Sequence, residues 1–349
     1  MKNENDEFKP LSFFGELLLK NKELSDYYLK KRKYEFDNGK NLKGLKWRDK
    51  LHPILLQLIK LNRKYILKQN LTIINDKRIQ TDKPVIYAIT HIGVYDYQIV
   101  SEAIREHQYP FAGDPETLYR SSDGVVLALN GLIYCDTNSK EDRHIALETS
   151  KQLLKNNENL LIYPEGIWNL SPNLLALPLF PGIINIALET GCDIIPVAVE
   201  QYGKDFYVNI GENFKVNSIG DNLDEASRKK YIEEQKKELR NCLACLKWEI
   251  YESRGVFIRK SMGSYEKELN EFVENKLNEW KNPKTKKQYY DMNILRERTF
   301  KEKYICAPSD AFSYIKNLKI NKNNAFIFRK DISLPIEIQR QIKEKLKSR

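Results

Sequence analysis

The stretch YAITHIGVYDYQIV, Tyr87 to Val100, changes its hydrophobic period in the middle. Its start continues an apolar run, Val85 to Ile89, that ends in Thr90 and His91. After Gly93 the pattern turns helical from Asp96 onward. This reads as a strand, a bend and a helix. Three more short apolar runs follow at Leu132 to Cys135, Leu160 to Tyr163 and Ile194 to Val199. Helical stretches such as Arg143 to Leu154 and Gly182 to Glu189 separate them. Strands alternating with helices predict an α/β fold whose sheet is covered on both faces. Each run ends in polar or turn residues: Thr90 and His91, Asp136 and Thr137, Pro164 to Gly166, Glu200 and Gln201. Ligand sites in open α/β sheets lie just beyond strand ends, so these four ends are the places to look.

The chain of 349 residues suits one catalytic-sized domain with helical additions. Charge divides it in three. Residues 1–80 carry 19 Lys and Arg against 10 Asp and Glu, net +9; residues 81–220 carry 9 against 18, net −9; residues 221–349 carry 30 against 20, net +10. The expected organisation is a basic amphipathic helical segment over 1–79, an α/β core over 80–220, and a charged, mostly helical extension over 221–349. An acidic middle between basic flanks is unlike a nucleic-acid module, so no nucleic-acid partner is expected. The flanks suit an anionic membrane surface or an acidic carrier protein.

No window holds the roughly 18 uncharged apolar residues of a spanning helix. Leu174 to Leu188 comes nearest, but Pro178, Pro181 and Gly182 break it. The start, MKNENDEFKP, lacks the basic and then apolar order of a signal peptide. The expected location is cytoplasmic, on the cytoplasmic face of a membrane. Five scattered cysteines fit a reducing compartment. Cys242 and Cys245 form a C-x-x-C without a second pair, which reads as one face of a helix; no metal site and no cofactor are expected.

In the first segment HPILLQLIKLNRKYILKQN reads as a helix with Pro53 in its first turn. Gln57, Lys60, Lys64 and Lys68 share one face; Ile54, Leu55, Leu58, Leu61 and Tyr65 line another. Such a helix can lie in a membrane interface or pack on its own domain. Upstream, Phe13, Phe14 and Leu17 to Leu19 read as exposed, which favours the membrane. In the last segment DEASRKKYIEEQKKELRNCLACLKWEIYESR is a long amphipathic helix. Ser264 is a candidate cap for YEKELNEFVENKLNEW, KNPKTKKQ reads as a linker, and NAFIFRKD as a strand.

His91 and Asp96 are separated by five residues, which on one regular helix would turn them about 140° apart. They can meet if His91 sits in the loop leaving the strand and Asp96 in the first turn of the next helix, with Gly93 allowing the bend. The carboxylate would then lie near the positive end of the helix dipole. An Asp bound to one ring nitrogen fixes the tautomer and leaves the other nitrogen to take a proton, as in a general base. The plainer alternative is a capped turn between a strand and a helix. No Ser or Cys stands in an evident nucleophile elbow, so the proton removed would belong to a substrate hydroxyl.

Four blocks in order, THIGVYD, NGLIYCD, LLIYPEGIWN and LPLFPGIINIALETGCDIIPVAVE, closely resemble the glycerolipid acyltransferases, the PlsC-like group that includes lysophosphatidic acid acyltransferases. The resemblance covers about residues 80 to 205. It implies a mixed central sheet flanked by helices. It further implies transfer of a fatty acyl group from a thioester of acyl carrier protein or coenzyme A to a glycerolipid hydroxyl such as that of lysophosphatidic acid. The His-x4-Asp pair maps to His91 as base and Asp96 as its orienting partner. The third block maps to Pro164, Glu165 and Gly166, implying a role in holding the acceptor, with nearby backbone N–H groups as oxyanion donors. Pro196 and Val197 would shape the core beside the site.

The chain departs from the family pattern twice. Thr137 stands where the second block usually ends in Arg, and Ile167 and Trp168 stand where the third usually continues to Thr-Arg. Two charge-assisted contacts to an acceptor phosphate, each worth roughly 1.5–3 kcal/mol, are therefore missing. Lys140 and Arg143 are candidates to replace them. Alternatively Trp168 offers an aromatic platform for a sugar, polyol or other neutral acceptor, or the scaffold is a non-catalytic module that binds membrane or carrier protein.

Overall fold

The computed structural model describes residues 8–19, 21–113, 122–136, 139–169, 175–218 and 224–254, with helical positions also at 271, 274, 275 and 278. Among these, the chain opens with three helices: α1 (Phe13–Leu18), α2 (Asn21–Asp37) and α3 (Leu45–Leu61). A π-helical turn, Asn62–Ile66, leads into β1 (Asn70–Asp76). The alternation then runs β2 (Ile86–Ile89), α4 (Asp96–Ile104), β3 (Gln108–Ala112), α5 (Ser122–Asn130), β4 (Ile133–Tyr134), α6 (Lys140–Lys155), β5 (Asn159–Ile162), α7 (Gly182–Thr190), β6 (Ile194–Tyr202), β7 (Asp205–Ile210) and α8 (Glu225–Arg254). The strands form one mixed sheet in the order β1-β7-β6-β2-β5-β3-β4. β2 pairs parallel with β6 and β5, and β3 parallel with β5 and β4, whereas β6 and β7 form an antiparallel hairpin.

All four residues of β2 are buried, because helices cover both sheet faces. Ile86 and Ala88 pack with Leu160, Ile162, Ile183, Ile184 and Trp248. Tyr87 and Ile89 point the other way, onto Ile99, Val100, Ala103 and Ile104 of α4. Since β2 to β6 run parallel, His91, Tyr163 to Glu165 and Asp136 all emerge at one edge of the sheet.

The four strands read from the sequence are present. Residues 70–76, read as part of the helical N-terminal segment, instead form β1, whose register with β7 runs from Asn70 opposite Asp205 to Ile73 opposite Val208. Pro53 is not in a first turn: α3 begins eight residues earlier, behind the left-handed Gly44 (φ 86°), so the proline lies inside the helix. The apolar side of α3 also divides. His52, Leu55 and Ile59 are buried, while Ile54, Leu58 and Leu61 stay exposed, joined by Tyr65 and Ile66 of the π-helical turn. Leu18 is exposed and Leu19 partly buried; the side chains of Phe13, Phe14 and Leu17 lie outside the described residues, as do Ser264, KNPKTKKQ and NAFIFRKD. Cys242 and Cys245 share α8 and are not joined in a disulfide. Among the described residues no helix is long and apolar enough to cross a membrane.

Candidate active site

The turn after β2 is organised around one carboxylate oxygen. Asp96 Oδ2 accepts from Ile92 N (2.6 Å), from Gly93 N (3.0 Å) and from His91 Nδ1 at 2.8 Å. Asp96 is 1% exposed, so these bonds form away from water. The helix start has no side-chain cap of its own, its cap position being Tyr95. The capped turn and the His–Asp pair are therefore a single structure: the amides that fold the loop hold the oxygen that orients the imidazole. Because a carboxylate oxygen only accepts, Nδ1 carries the hydrogen in this arrangement and Nε2 presents its lone pair. Among the described residues no hydrogen bond is made to Nε2, and the His91 side chain is 21% exposed.

Two aromatic rings hold the imidazole plane. Tyr163 stacks on it at 4.2 Å between centroids and 23° between planes, and Trp168 meets it edge-on at 6.0 Å and 88°. Burial, followed by the Asp96 charge, pushes the Tyr163 phenol well above its ordinary range, so it stays neutral. Asn169 N donates to His91 O at 2.7 Å and secures the loop from below.

Glu165 is buried, and its two oxygens bridge two loops: Oε1 accepts from His91 N (3.2 Å) and Oε2 from Leu177 N (2.7 Å). Burial raises its carboxyl above the ordinary range, against the Lys247 charge and the two backbone N–H groups. Lys247, buried on α8, forms a 2.8 Å ion pair with Glu200 at the end of β6. Both residues of this support lie far from Glu165 in sequence, and no motif marks Lys247.

Gly166 adopts φ +68°, and a Cβ there would meet the Phe180 ring at 2.5 Å. Its N–H donates to Tyr163 O at 2.9 Å. The N–H groups of Ile92, Gly93 and Gly166 are thus committed within the loops rather than to an oxyanion. The Phe180 ring is exposed and can swing aside, so Gly166→Ala should cost roughly 1–2 kcal/mol, mainly from the left-handed backbone. A urea unfolding curve would show this as a lowered midpoint; an unchanged midpoint would contradict it.

Four further residues were predicted from the sequence: Thr137, Lys140, Arg143 and Trp168. Thr137 lies outside the described residues. Lys140 and Arg143, both exposed, open α6 behind Ser139, whose side chain caps the helix at Asp142 N. They follow β4, the edge strand three places from β2. Trp168, the alternative reading's open aromatic platform, is instead 2% exposed and packs edge-on against His91. The sequence also concealed Arg32 of α2, which reaches Asp142 with two bonds of 2.8 and 2.7 Å. Asp142 Oδ2 in turn accepts from Asp136 N, so this bidentate pair pins the turn after β4. The 110 residues separating Arg32 from Asp142 leave no local signal of this contact.

Residues 70–200 match the family model described as Acyltransferase. An uncharacterised acyltransferase of Schizosaccharomyces pombe is 21% identical over 143 residues, which is 41% of this chain and 51% of that protein. The chain thus spans about half the length of the curated relative it matches. Among solved structures, the 1-acyl-sn-glycerophosphate (LPA) acyltransferase PlsC from Thermotoga maritima is matched at a TM-score of 0.43 and 17% identity, over 70% of this chain and 88% of that one.

Proposed function

We propose that this chain, whose residues 70–200 match the acyltransferase family model, moves a fatty acyl group from a thioester of acyl carrier protein or coenzyme A to the hydroxyl of a glycerolipid such as lysophosphatidic acid. The observation that carries this reading is the imidazole of His91, fixed by Asp96 at Nδ1 and open at Nε2. In the proposed step Nε2 takes the proton of the acceptor hydroxyl as its oxygen attacks the thioester carbonyl. Collapse of the tetrahedral intermediate breaks the carbon–sulfur bond, and the imidazolium returns the proton to the departing thiolate. Asp96 stabilises that imidazolium and holds the tautomer.

Glu165 serves this reaction as a positioning residue, since its oxygens hold the backbones of His91 and Leu177. Gly166 lets the chain turn beneath Phe180. Lys140 and Arg143, which follow Thr137 in the chain, are proposed to receive an acceptor phosphate. The test is thiol release from an acyl thioester with and without lysophosphatidic acid. Release that depends on the acceptor supports transfer; release that ignores it indicates hydrolysis by water. A monoacylglycerol that replaces lysophosphatidic acid without loss of rate would assign the site to a neutral acceptor.

Peripheral membrane association belongs to the same proposal. Ile54, Leu58, Leu61, Tyr65 and Ile66 form an exposed apolar stripe beside the exposed Lys60, Lys64 and Lys68. Apolar side chains flanked by lysines suit the boundary of an anionic bilayer. Ile54→Glu with Leu58→Glu should weaken sedimentation with anionic vesicles about tenfold or more, because each buried side chain contributes roughly 1.5–3 kcal/mol. Unaltered vesicle binding by this variant would remove α3 from the docking face.

A further inference from the structure

At the sheet edge opposite His91, three groups converge that the acyl-transfer reaction does not use. Asp49 comes from α3, His107 immediately precedes β3, and Glu158 immediately precedes β5. His107 Nδ1 lies 2.5 Å from Asp49 Oδ1 and 3.7 Å from Glu158 Oε2, and one potential ligand atom from each residue falls within 4.8 Å of the others. On the far side of the ring, His107 Nε2 is 2.8 Å from the backbone carbonyl of Asn130. A carbonyl only accepts, so Nε2 carries the hydrogen, and Nδ1 turns toward the two carboxylates. By the same rule Nδ1 and Asp49 Oδ1, at this distance, share a hydrogen, so without an ion the ring faces acceptors on both sides, and a divalent cation would take the place of that shared hydrogen. A ring N–H held by a carbonyl while the other nitrogen faces carboxylates is also how ligating histidines are oriented.

The surroundings point the same way. Tyr109 is buried with its ring centroid 4.8 Å from that of His107. Its hydroxyl lies in the field of Glu158 and Asp49 and beside the Arg48 side chain, which faces it. His52, also buried, stands 5.0 Å from His107 between ring centroids, donates from Nδ1 to Asn130 Oδ1, and leaves Nε2 without a partner. Arg48, the nearby cation, directs its Nη1 to the carbonyl of Lys43 while its charge still acts on Glu158.

We propose that Asp49, His107 and Glu158 form a divalent-cation site, of zinc or manganese class, that fastens α3 to the sheet. One imidazole nitrogen with two carboxylate oxygens suits these ions. Zinc bonds to such atoms at about 2.0–2.2 Å, which sets tetrahedral ligands roughly 3.4 Å apart. Glu158 already stands near that separation from Nδ1. Asp49 must withdraw by about 1 Å, which its exposed side chain permits. The consequence is structural: α3 carries the exposed apolar stripe, and a bound ion would fix its seat.

The test uses the full chain, freed of metal by a chelator and then titrated with zinc chloride and, separately, manganese chloride by calorimetry. The expected result is one equivalent bound, with affinity at least tenfold lower in Asp49→Asn and in Glu158→Gln. Thermal unfolding should rise with the ion in the wild type and stay unchanged in Asp49→Asn, whose exposed side chain makes that variant the safer one for folding. Absence of a bound equivalent overturns the proposal. So does an equivalent, or a thermal shift, that survives intact in Asp49→Asn, since the ion would then sit elsewhere, for instance on Cys242 and Cys245.

Discussion

Replacing His91 with glutamine should lower acyl transfer by roughly 10²–10⁴-fold, the usual contribution of a positioned general base. The fold should survive, because the bonds that tie this residue to Glu165 and Asn169 come from its backbone N–H and carbonyl. Its ring makes one described hydrogen bond, to Asp96, whose Oδ2 keeps the amides of Ile92 and Gly93 when the imidazole is gone. The variant should therefore unfold within about 1 kcal/mol of the wild type, the range of one net hydrogen bond. Thiol release in the presence of acceptor and a urea unfolding curve together check both halves. A variant that is folded and turns over at the wild-type rate would remove His91 from the chemistry.

Asp96→Asn should cost both activity and stability. The amide oxygen can inherit the bonds from Ile92, Gly93 and His91, but the NH2 group then occupies the position of Oδ1, which is buried without a hydrogen-bond partner. A buried donor left unsatisfied costs about 1–3 kcal/mol. If the amide turns instead, its NH2 faces His91 Nδ1, which must then accept; the hydrogen moves to Nε2 and the base is lost. In either orientation no negative charge remains opposite the imidazolium. The expected loss of rate is on the order of 10²-fold or more, carried in kcat, since the ionised pair matters after substrate is bound. A stability loss without any change in kcat would make Asp96 a loop anchor only.

The sequence exposed the parts of this molecule whose signals are local. The break between Ile89 and Asp96 showed a strand turning into a helix, and the buried runs at Leu160 and Ile194 were continuous enough to read as sheet. β1, β3 and β7 were missed for physical reasons. β1 is an edge strand, NLTIIND, whose Asn70, Thr72 and Asp76 face solvent; β3, QYPFA, contains Pro110; β7 owes its place to the hairpin with β6. Pro53 looked like a helix start because its interior position depends on Gly44, nine residues before it.

The candidate site divides in the same way. The pairing of His91 with Asp96 was legible because five residues and one glycine contain all the geometry it needs. The use of Glu165 was not, since its partners are the backbones of His91 and Leu177, and only the folded chain brings them to it. Trp168 looked like a surface platform because a tryptophan beside turn residues carries no sign of which loop will close over it. Arg32, Lys247 and Tyr163 support the site from three separate segments, and two of them lie outside the matched stretch of 70–200.

The most direct measurement is to incubate the purified chain with a thioester bearing a labelled acyl group and with lysophosphatidic acid, then to identify the labelled product. The expected result is a labelled diacylated lipid in the wild type and its near absence in His91→Gln. Label found only as free fatty acid, or left entirely on the thioester, would contradict the account.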